Sequence, residues 1–362
     1  MGRMLADAAV GFDARLSVMD DDPLCPCREV CQDFTRGDPL NYADVHAFGK
    51  SVDVLTLEYE HVNADALKQL EADGVAVHPS AAVIALVQDK GKQKEFYRAN
   101  NIPTADFVLV AGRADIQAHK DLLPVVQKNR QSGYDGKGIH KIASAGDIET
   151  AFDGPSVLER LVDLDKEIAV IAARNTKGET TVYPTVEMMF HPKRNLVEFL
   201  LCPADLPASV ERAAKEIALG LVEKLKVTGV LAVEMFVTRD GKVLVNEIAP
   251  RVHNSGHHTI EANVTSQFQQ HLRAVLGLPL GPTDTVMPSV MVNILGDPGF
   301  EGKACYEGVD AAMALGGVHV HLYGKQITRA YRKMGHATIL DKDLGAALAK
   351  ARKVKEMIKV RA

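Results

Sequence analysis

Gly229-Val-Leu-Ala-Val-Glu-Met-Phe-Val-Thr-Arg-Asp-Gly-Lys-Val-Leu-Val-Asn-Glu-Ile248 is the stretch whose reading decides the fold. Two apolar, β-branched runs flank Arg239-Asp-Gly-Lys242, whose Asp-Gly pair favours a tight turn, so the segment predicts a strand, a turn and a strand. With a loop of two residues, or of four about the same centre, and no bulge, Thr238 faces Val243, Met235 faces Asn246 and Glu234 faces Glu247. Directly opposed side chains have Cβ atoms about 5 Å apart, and like charges at that spacing destabilise a sheet unless something neutralises them. A hard cation held by carboxylate oxygens does so, and Mg²⁺ bridging bound phosphates is the commonest case. The alternative is two solvated glutamates on an exposed hairpin face, against which the flanking residues are too apolar for a wet strand.

The residues that follow, Ala249-Pro-Arg-Val-His-Asn-Ser-Gly-His-His258, form a polar loop with breakers at Pro250 and Gly256. Its Arg, Asn and three His can aim positive charge and hydrogen-bond donors at an anion beside the metal.

At 362 residues the chain is long enough for two or three domains and a substantial core. A net charge of -5 and the lack of a polybasic block argue against a general nucleic-acid partner. No apolar run reaches about 18 residues and the N-terminus lacks a signal peptide's apolar core, so no membrane partner and a cytoplasmic location are expected. Five cysteines do not suggest a disulfide framework, and Cys25-Pro-Cys-Arg-Glu-Val-Cys31 lacks a fourth zinc ligand at the usual spacing.

Three regions follow from the pattern of apolar runs and breakers. Residues 1–87 mix strand-like runs (16–19, 53–57) with a helical stretch (63–73), as in a small doubly wound α/β unit. Residues 88–277 open with a charged helix to Asn100, break at Asn101-Ile-Pro-Thr104, and carry strands near 124–128, 156–160 and 167–172 and a helix over 209–225. Residues 278–362 form a smaller α+β unit with strands near 318–323 and 337–340 and a last helix over 344–360. In the middle region, Ser132-Gly-Tyr-Asp-Gly-Lys-Gly138 has three glycines that let backbone N–H groups approach an anion. It is not a Walker A loop, because Lys137 is followed by Gly138 and not by Ser or Thr.

Asn246-Glu-Ile-Ala-Pro-Arg-Val-His-Asn-Ser-Gly-His257, continuing into Thr265-Ser-Gln-Phe268 and His271-Leu-Arg-Ala274, resembles the signature of the 5-(carboxyamino)imidazole ribonucleotide synthetase family, ATP-grasp ligases of purine biosynthesis. A related formate-using formyltransferase shares the opening but usually has Asp-Thr-Gly where this chain has Asn254-Ser-Gly256. The resemblance implies an α/β and α+β chain: an ATP-grasp domain between a truncated, doubly wound pre-ATP-grasp domain and a small C-terminal domain. The truncation is an expectation from the start Met1-Gly-Arg-Met-Leu5, where the family has a first strand and a Gly-Gly-Gly-Gln-Leu-Gly turn before Arg-Met-Leu. A neighbouring strand would then lack a partner.

By the same resemblance, Lys90 and Lys128 bind nucleotide phosphates, and Gly133, Tyr134, Asp135, Gly136, Lys137, Gly138 and Ile139 form a lid. Glu159, Arg160, Leu161 and Val162 form the adenine hinge, Glu167 accepts from the ribose hydroxyls, and His191, Asn246 and Glu247 complete the ATP site. Glu234 and Glu247 hold Mg²⁺; Arg251, His253 and Asn254 hold the carboxylate of a carboxyphosphate intermediate. Asp20, Glu58, Lys325 and Arg332 bind the acceptor, the last two through its 5′-phosphate. Relatives usually carry Arg at Lys90, Gln at Ile139 and His at Phe190, so this chain loses a bidentate fork at the first of these. The implied reaction is ATP-dependent carboxylation of 5-aminoimidazole ribonucleotide by bicarbonate in a homodimer. Another ATP-grasp ligase, such as the formate-using relative, or a noncatalytic ATP-binding protein are the alternatives.

Overall fold

The computed structural model describes residues 1–131, 138–191 and 196–362. In chain order, α1 (Gly2–Val10) precedes β1 (Ser17–Asp20), β2 (Asp33–Arg36), α2 (Tyr42–Gly49), β3 (Val54–Thr56), α3 (Ala64–Ala72), β4 (Ala76–His78) and α4 (Ala81–Val87). Asn41, Asn63 and Ser80 start the last three helices by accepting first-turn N–H groups. β1 pairs in parallel with β2, and β3 with β4, but the two pairs remain separate sheets. The doubly wound unit expected here is thus divided: no described strand pairs with both β1 and β3.

α5 (Lys90–Ala99) begins at Asp89, whose carboxylate caps the helix and takes the Arg130 guanidinium at 2.7 Å. β5 (Phe107–Val110), α6 (Arg113–Ile116), β6 (Val125–Asn129), β7 (Ile139–Ile142) and β8 (Ser156–Arg160) then build an antiparallel sheet ordered β5-β8-β6-β7. Next come β9 (Leu164–Arg174), β10 (Thr180–Val182), β11 (Val186–Phe190), β12 (Val197–Cys202), α7 (Ala208–Lys224), β13 (Gly229–Thr238), β14 (Val243–Ala249), α8 (Thr259–Ala262), α9 (Gln267–Val275) and β15 (Ser289–Leu295). The last stretch holds β16 (Gly302–Lys303), β17 (Cys305–Glu307), α10 (Val309–Met313), β18 (Val318–Leu322), β19 (Ile327–Thr328), β20 (Lys333–Leu340), α11 (Leu344–Met357) and β21 (Lys359–Arg361). A large sheet runs β14-β13-β9-β11-β12-β15-β20-β18, with β10 on β9, so strands of the C-terminal segment continue the central sheet through β12 and β15. Among the described residues no helix is long and apolar enough to cross a membrane.

Alternation along the central strands gives the sheet two buried faces. Leu231, Val233, Met235 and Val237 of β13 point with Ile168 and Val170 of β9 toward α7, where Ala214, Ala218, Leu221 and Val222 cover them. Val230 and Ala232 point the other way with Ile171 and Ala173, onto Phe268 and Leu272 of α9 and Leu5 and Ala9 of α1. Glu234 continues this second row.

The hairpin corrects the expected register and keeps its main pair. Its loop has three residues, Arg239 to Gly241, with Gly241 at φ 79° and the Thr238 N–H donating to the Lys242 carbonyl. A left-handed residue is needed there, which glycine adopts without strain. Val237 therefore faces Val243 and Met235 faces Val245, not Thr238 with Val243 or Met235 with Asn246. A bulge at Asn246 then restores the register, and Glu234 faces Glu247. In strict alternation Val245 and Glu247 would share one face. The extra residue instead leaves Val245 in the α7 core and turns Glu247 to the side of Glu234.

His271 of α9 docks the N-terminal region on this sheet. Its Nδ1 accepts the Val230 N–H at 3.3 Å, which leaves Nε2 to meet Thr56 Oγ1 of β3 at 2.7 Å. Burial pushes His271 down to about 4, and His258 likewise to about 4. In the unfolded chain a histidine titrates near 6.5. Between those values the unfolded chain binds protons that the folded one refuses, so stability is full above about pH 6.5 and falls as pH drops toward 4. Denaturant unfolding at pH 7.5, 6 and 5 is expected to show a falling midpoint, with a shallower slope for His271→Gln.

Candidate active site

The carboxylates Glu167, Glu234 and Glu247 lie on one face of the central sheet: Glu234 is opposite Glu247 on β14 and Ala169 on β9, and Glu167 is opposite Phe236. Burial, and then the charges of Glu247 and Glu167, push the Glu234 carboxyl well above the usual carboxylate range. Burial alone raises Glu167 to about 7, with Lys128 opposing the rise. Glu247 moves the other way, because the Lys90 ammonium sits 2.9 Å from its Oε2. Its side chain is 45% exposed, so solvent screens that pair.

Lysines arrive from two other elements. Lys90, at the first turn of α5, reaches β14 across 157 residues of sequence. Lys128, near the end of β6, donates to Asn246 Oδ1 at 2.8 Å and pairs with Glu159 Oε1 at 3.0 Å. Glu159 also holds Lys94 of α5 at 3.1 Å. The Glu159 carboxylate is therefore committed to two ammonium groups. The Arg160 and Leu161 N–H groups are themselves taken by the Asp106 and Pro124 carbonyls.

The loop after β14 is clamped from below. Gln267, fully buried at the start of α9, accepts from the His253 N–H at 2.8 Å and donates to the His253 carbonyl at 2.7 Å. His253 Nδ1 accepts from the Ser255 N–H at 3.3 Å, so the proton sits on Nε2, which lies 3.5 Å from Glu234 Oε1. Burial, then the charge of Arg251, lowers His253 to about 3, leaving it a neutral donor. Arg251 pairs with Glu60 at 3.1 Å, and burial raises Glu60 against the pull of that guanidinium. Asn254 is turned to the C-terminal strands, where it and Asn293 exchange amide hydrogen bonds at 2.9 and 3.2 Å.

The remaining expected residues are spread more widely. Asp20 ends β1 and accepts the Asp22 N–H, and Glu58, just past β3, lies 3.0 Å from the Met1 amino group. Lys325 donates to the Lys333 carbonyl at 2.9 Å, beside Arg332, whose guanidinium holds the Ile327 carbonyl. Both residues lie in the segment between β18 and β20. Gly138 and Ile139 lead into β7 opposite Lys128, and His191 follows β11. Gly133, Tyr134, Asp135, Gly136 and Lys137 lie outside the described residues. Leu161 is exposed and Val162 lies between β8 and β9.

Several contributors escape a reading of the sequence. Glu60 stands two residues from Glu58, and the chain alone does not say which one meets Arg251. Lys94 follows Lys90 by one helical turn, a spacing that places both on one face of α5. Gln267 sits inside the family signature without announcing its bonds to His253, and Asn293 carries no local signal. The donor set suits Mg²⁺: two opposed carboxylates and an adjacent amide are hard oxygen ligands, and the raised Glu234 carboxyl marks a place short of positive charge.

An antiparallel four-stranded unit beside a larger sheet, with Lys90 of α5 on Glu247 and Lys128 of β6 on Asn246 next to it, is the arrangement of the ATP-grasp class. Family models agree: the ribonucleotide synthetase preATP-grasp domain matches residues 1–88, the ATP-grasp domain 95–268, and the phosphoribosylaminoimidazole carboxylase C-terminal domain 289–350. The N5-carboxyaminoimidazole ribonucleotide synthase of Bacillus subtilis is 34% identical over 346 residues, 94% of this chain and 89% of that one. This chain belongs to the N5-carboxyaminoimidazole ribonucleotide synthase family. The solved synthetase from Thermotoga maritima shares 40% identity at a TM-score of 0.92, over 100% of this chain and 96% of that one. A synthase from Aspergillus clavatus, solved with ADP and 5-aminoimidazole ribonucleotide, shares 30% identity at a TM-score of 0.89, over 98% and 95% of the two chains. The chain spans 63% of the length of the chloroplastic phosphoribosylaminoimidazole carboxylase of Vigna aconitifolia, with 37% identity and 96% of its own length matched.

Gln267→Leu is expected to strand the His253 N–H and carbonyl, costing about 2 kcal/mol or more. Denaturant unfolding measures the loss, and turnover should fall with it.

Proposed function

We propose that this chain catalyses the ATP- and bicarbonate-dependent carboxylation of 5-aminoimidazole ribonucleotide on its exocyclic amine, releasing ADP and phosphate. The observation that carries the reading is the opposed pair Glu234 and Glu247, met by Lys90, by Lys128 through Asn246, and by His253. Bicarbonate is a weak nucleophile and ATP a stable anhydride, so the site must hold both in line and spread the charge that develops on the transferred phosphoryl group.

Lys90 and Lys128 are placed to take the nucleotide phosphates. Glu234 and Glu247 would hold Mg²⁺, which would supply positive charge to offset that of the nucleotide. Arg251 offers a guanidinium held by Glu60, and neutral His253 offers an N–H, a pair suited to a carboxylate. Phosphorylated bicarbonate would lie between them, within reach of the attacking amine. Asn254, engaged with Asn293, fixes the loop rather than the ligand. Lys325 and Arg332 take the acceptor's 5′-phosphate, and Asp20 and Glu58 its ribose. Residues 133–139 contribute to ATP binding, with Glu167 on the ribose and 159–162 and His191 in the rest of the nucleotide site. The boundaries 1–87, 88–277 and 278–362, a homodimer and a cytoplasmic location complete the reading.

Phosphate release is expected to require ATP, bicarbonate and 5-aminoimidazole ribonucleotide together. Formate in place of bicarbonate should not support it, and ATP binding without turnover by folded protein would instead indicate a noncatalytic nucleotide binder. Glu247→Gln is expected to keep the wild-type thermal transition and lose most Mg²⁺-dependent turnover, since a ligand charge is removed at almost constant volume. Near-normal activity in that variant would refute the metal assignment.

A further inference from the structure

The Lys94 side chain is only 3% exposed, and nothing in the reaction requires it to touch substrate. Its ammonium donates to Thr104 Oγ1 at 2.6 Å and pairs with Glu159 Oε2 at 3.1 Å, among the rings of Tyr97 and Phe107. Thr104 is anchored in turn, donating to the Val245 carbonyl beside the bulge at 2.7 Å. The other oxygen of Glu159, a side chain 4% exposed, holds Lys128 at 3.0 Å. One buried carboxylate is thus shared by two ammonium groups, and the trio keeps a net positive charge.

That surplus bears on the lysine placed at the nucleotide phosphates. A carboxylate given to Lys128 alone would neutralise it, and a buried neutral pair attracts an anion far less than a cation does. We infer that Lys94 is a positioning residue for ATP: by taking half of the Glu159 carboxylate, it leaves Lys128 with charge to spend on phosphate while Glu159 still fixes where that ammonium points. Burial pushes Lys94 down to about 8, Glu159 countering the shift and the charges of Lys128 and Lys90 adding to it, so the group depends on Glu159 to remain an ammonium. Glu159 in turn stays ionised despite its burial because both lysines face it.

The inference rests on the reading that Lys128 meets the ATP phosphates, and four proteins separate the two. Equilibrium binding of ATP with Mg²⁺ is measured on the full-length wild type, K128M, K94M and K94M/E159Q. K128M is expected to weaken ATP about tenfold, as for loss of a charged hydrogen bond. K94M, whose Lys128 is now fully paired with Glu159, is expected to bind ATP about tenfold more weakly as well. Removing the carboxylate too ends the neutralisation of Lys128, so K94M/E159Q should bind ATP at least about threefold more tightly than K94M. A merely structural role predicts the reverse, a double variant no better than K94M, and that result would overturn the inference. So would wild-type affinity in K94M. If K94M does not fold, the charge-balanced double variant is compared with K128M: tighter ATP binding than K128M supports the inference, and binding no tighter than K128M overturns it. Unchanged affinity in K128M would remove the phosphate reading and this inference together.

Discussion

The bulge at Asn246 is the constraint from which the site is built. A strand that buries every second residue cannot present Val245 to the core and Glu247 to a ligand, because residues two apart share a face. One unpaired residue resolves the conflict: Val245 stays packed under α7, Asn246 turns to Lys128, and Glu247 arrives opposite Glu234. The three-residue loop with Gly241 sets the register that makes the bulge necessary. A two-residue loop and a regular ladder would have produced the same pair with different neighbours, and without an amide aimed at β6.

Placing carboxylates on a sheet face flanked by apolar rows makes charge balance the next problem. The protein answers it in pairs drawn from distant segments: Glu247 with Lys90, Glu159 with Lys94 and Lys128, Glu60 with Arg251. Glu234 is the exception, with a neutral imidazole 3.5 Å away and its carboxyl pushed up by burial and by the charges of Glu247 and Glu167. A divalent cation fits that deficit, and phosphate groups fit the cations around it. The same pairs tie α5, β6, β8 and β14 together, so the nucleotide site also joins the four-stranded unit to the central sheet.

The acceptor side is organised differently. The residues proposed for it come from the ends of β1 and β3, which belong to two separate parallel pairs, and from the segment between β18 and β20 that holds Lys325 and Arg332. What aligns the N-terminal pairs with the rest is packing and a few specific contacts, His271 with Thr56 among them. The nucleotide side, by contrast, is held within continuous sheets.

Sequence alone determined the strand-turn-strand at 229–248, the polar loop behind it and the family they announce, because periodicity and turn chemistry are local and the loop's residues are contiguous. It reached the Glu234–Glu247 pair through a loop and a ladder that the three-residue turn and the bulge both replaced. Resemblance, not periodicity, was what grouped Lys90, Lys128, Arg251 and His253 as an expected site. The tertiary structure decided the rest. It chose Glu60 as the partner of Arg251, gave Lys94 and Glu159 their shared charge, turned Asn254 toward Asn293, and divided the N-terminal strands into two sheets. Each of those depends on ion pairs, amide pairs or strand pairings between segments far apart in the chain. Hydrophobic alternation says which way a residue points in its own strand, not which charge from another element will meet it.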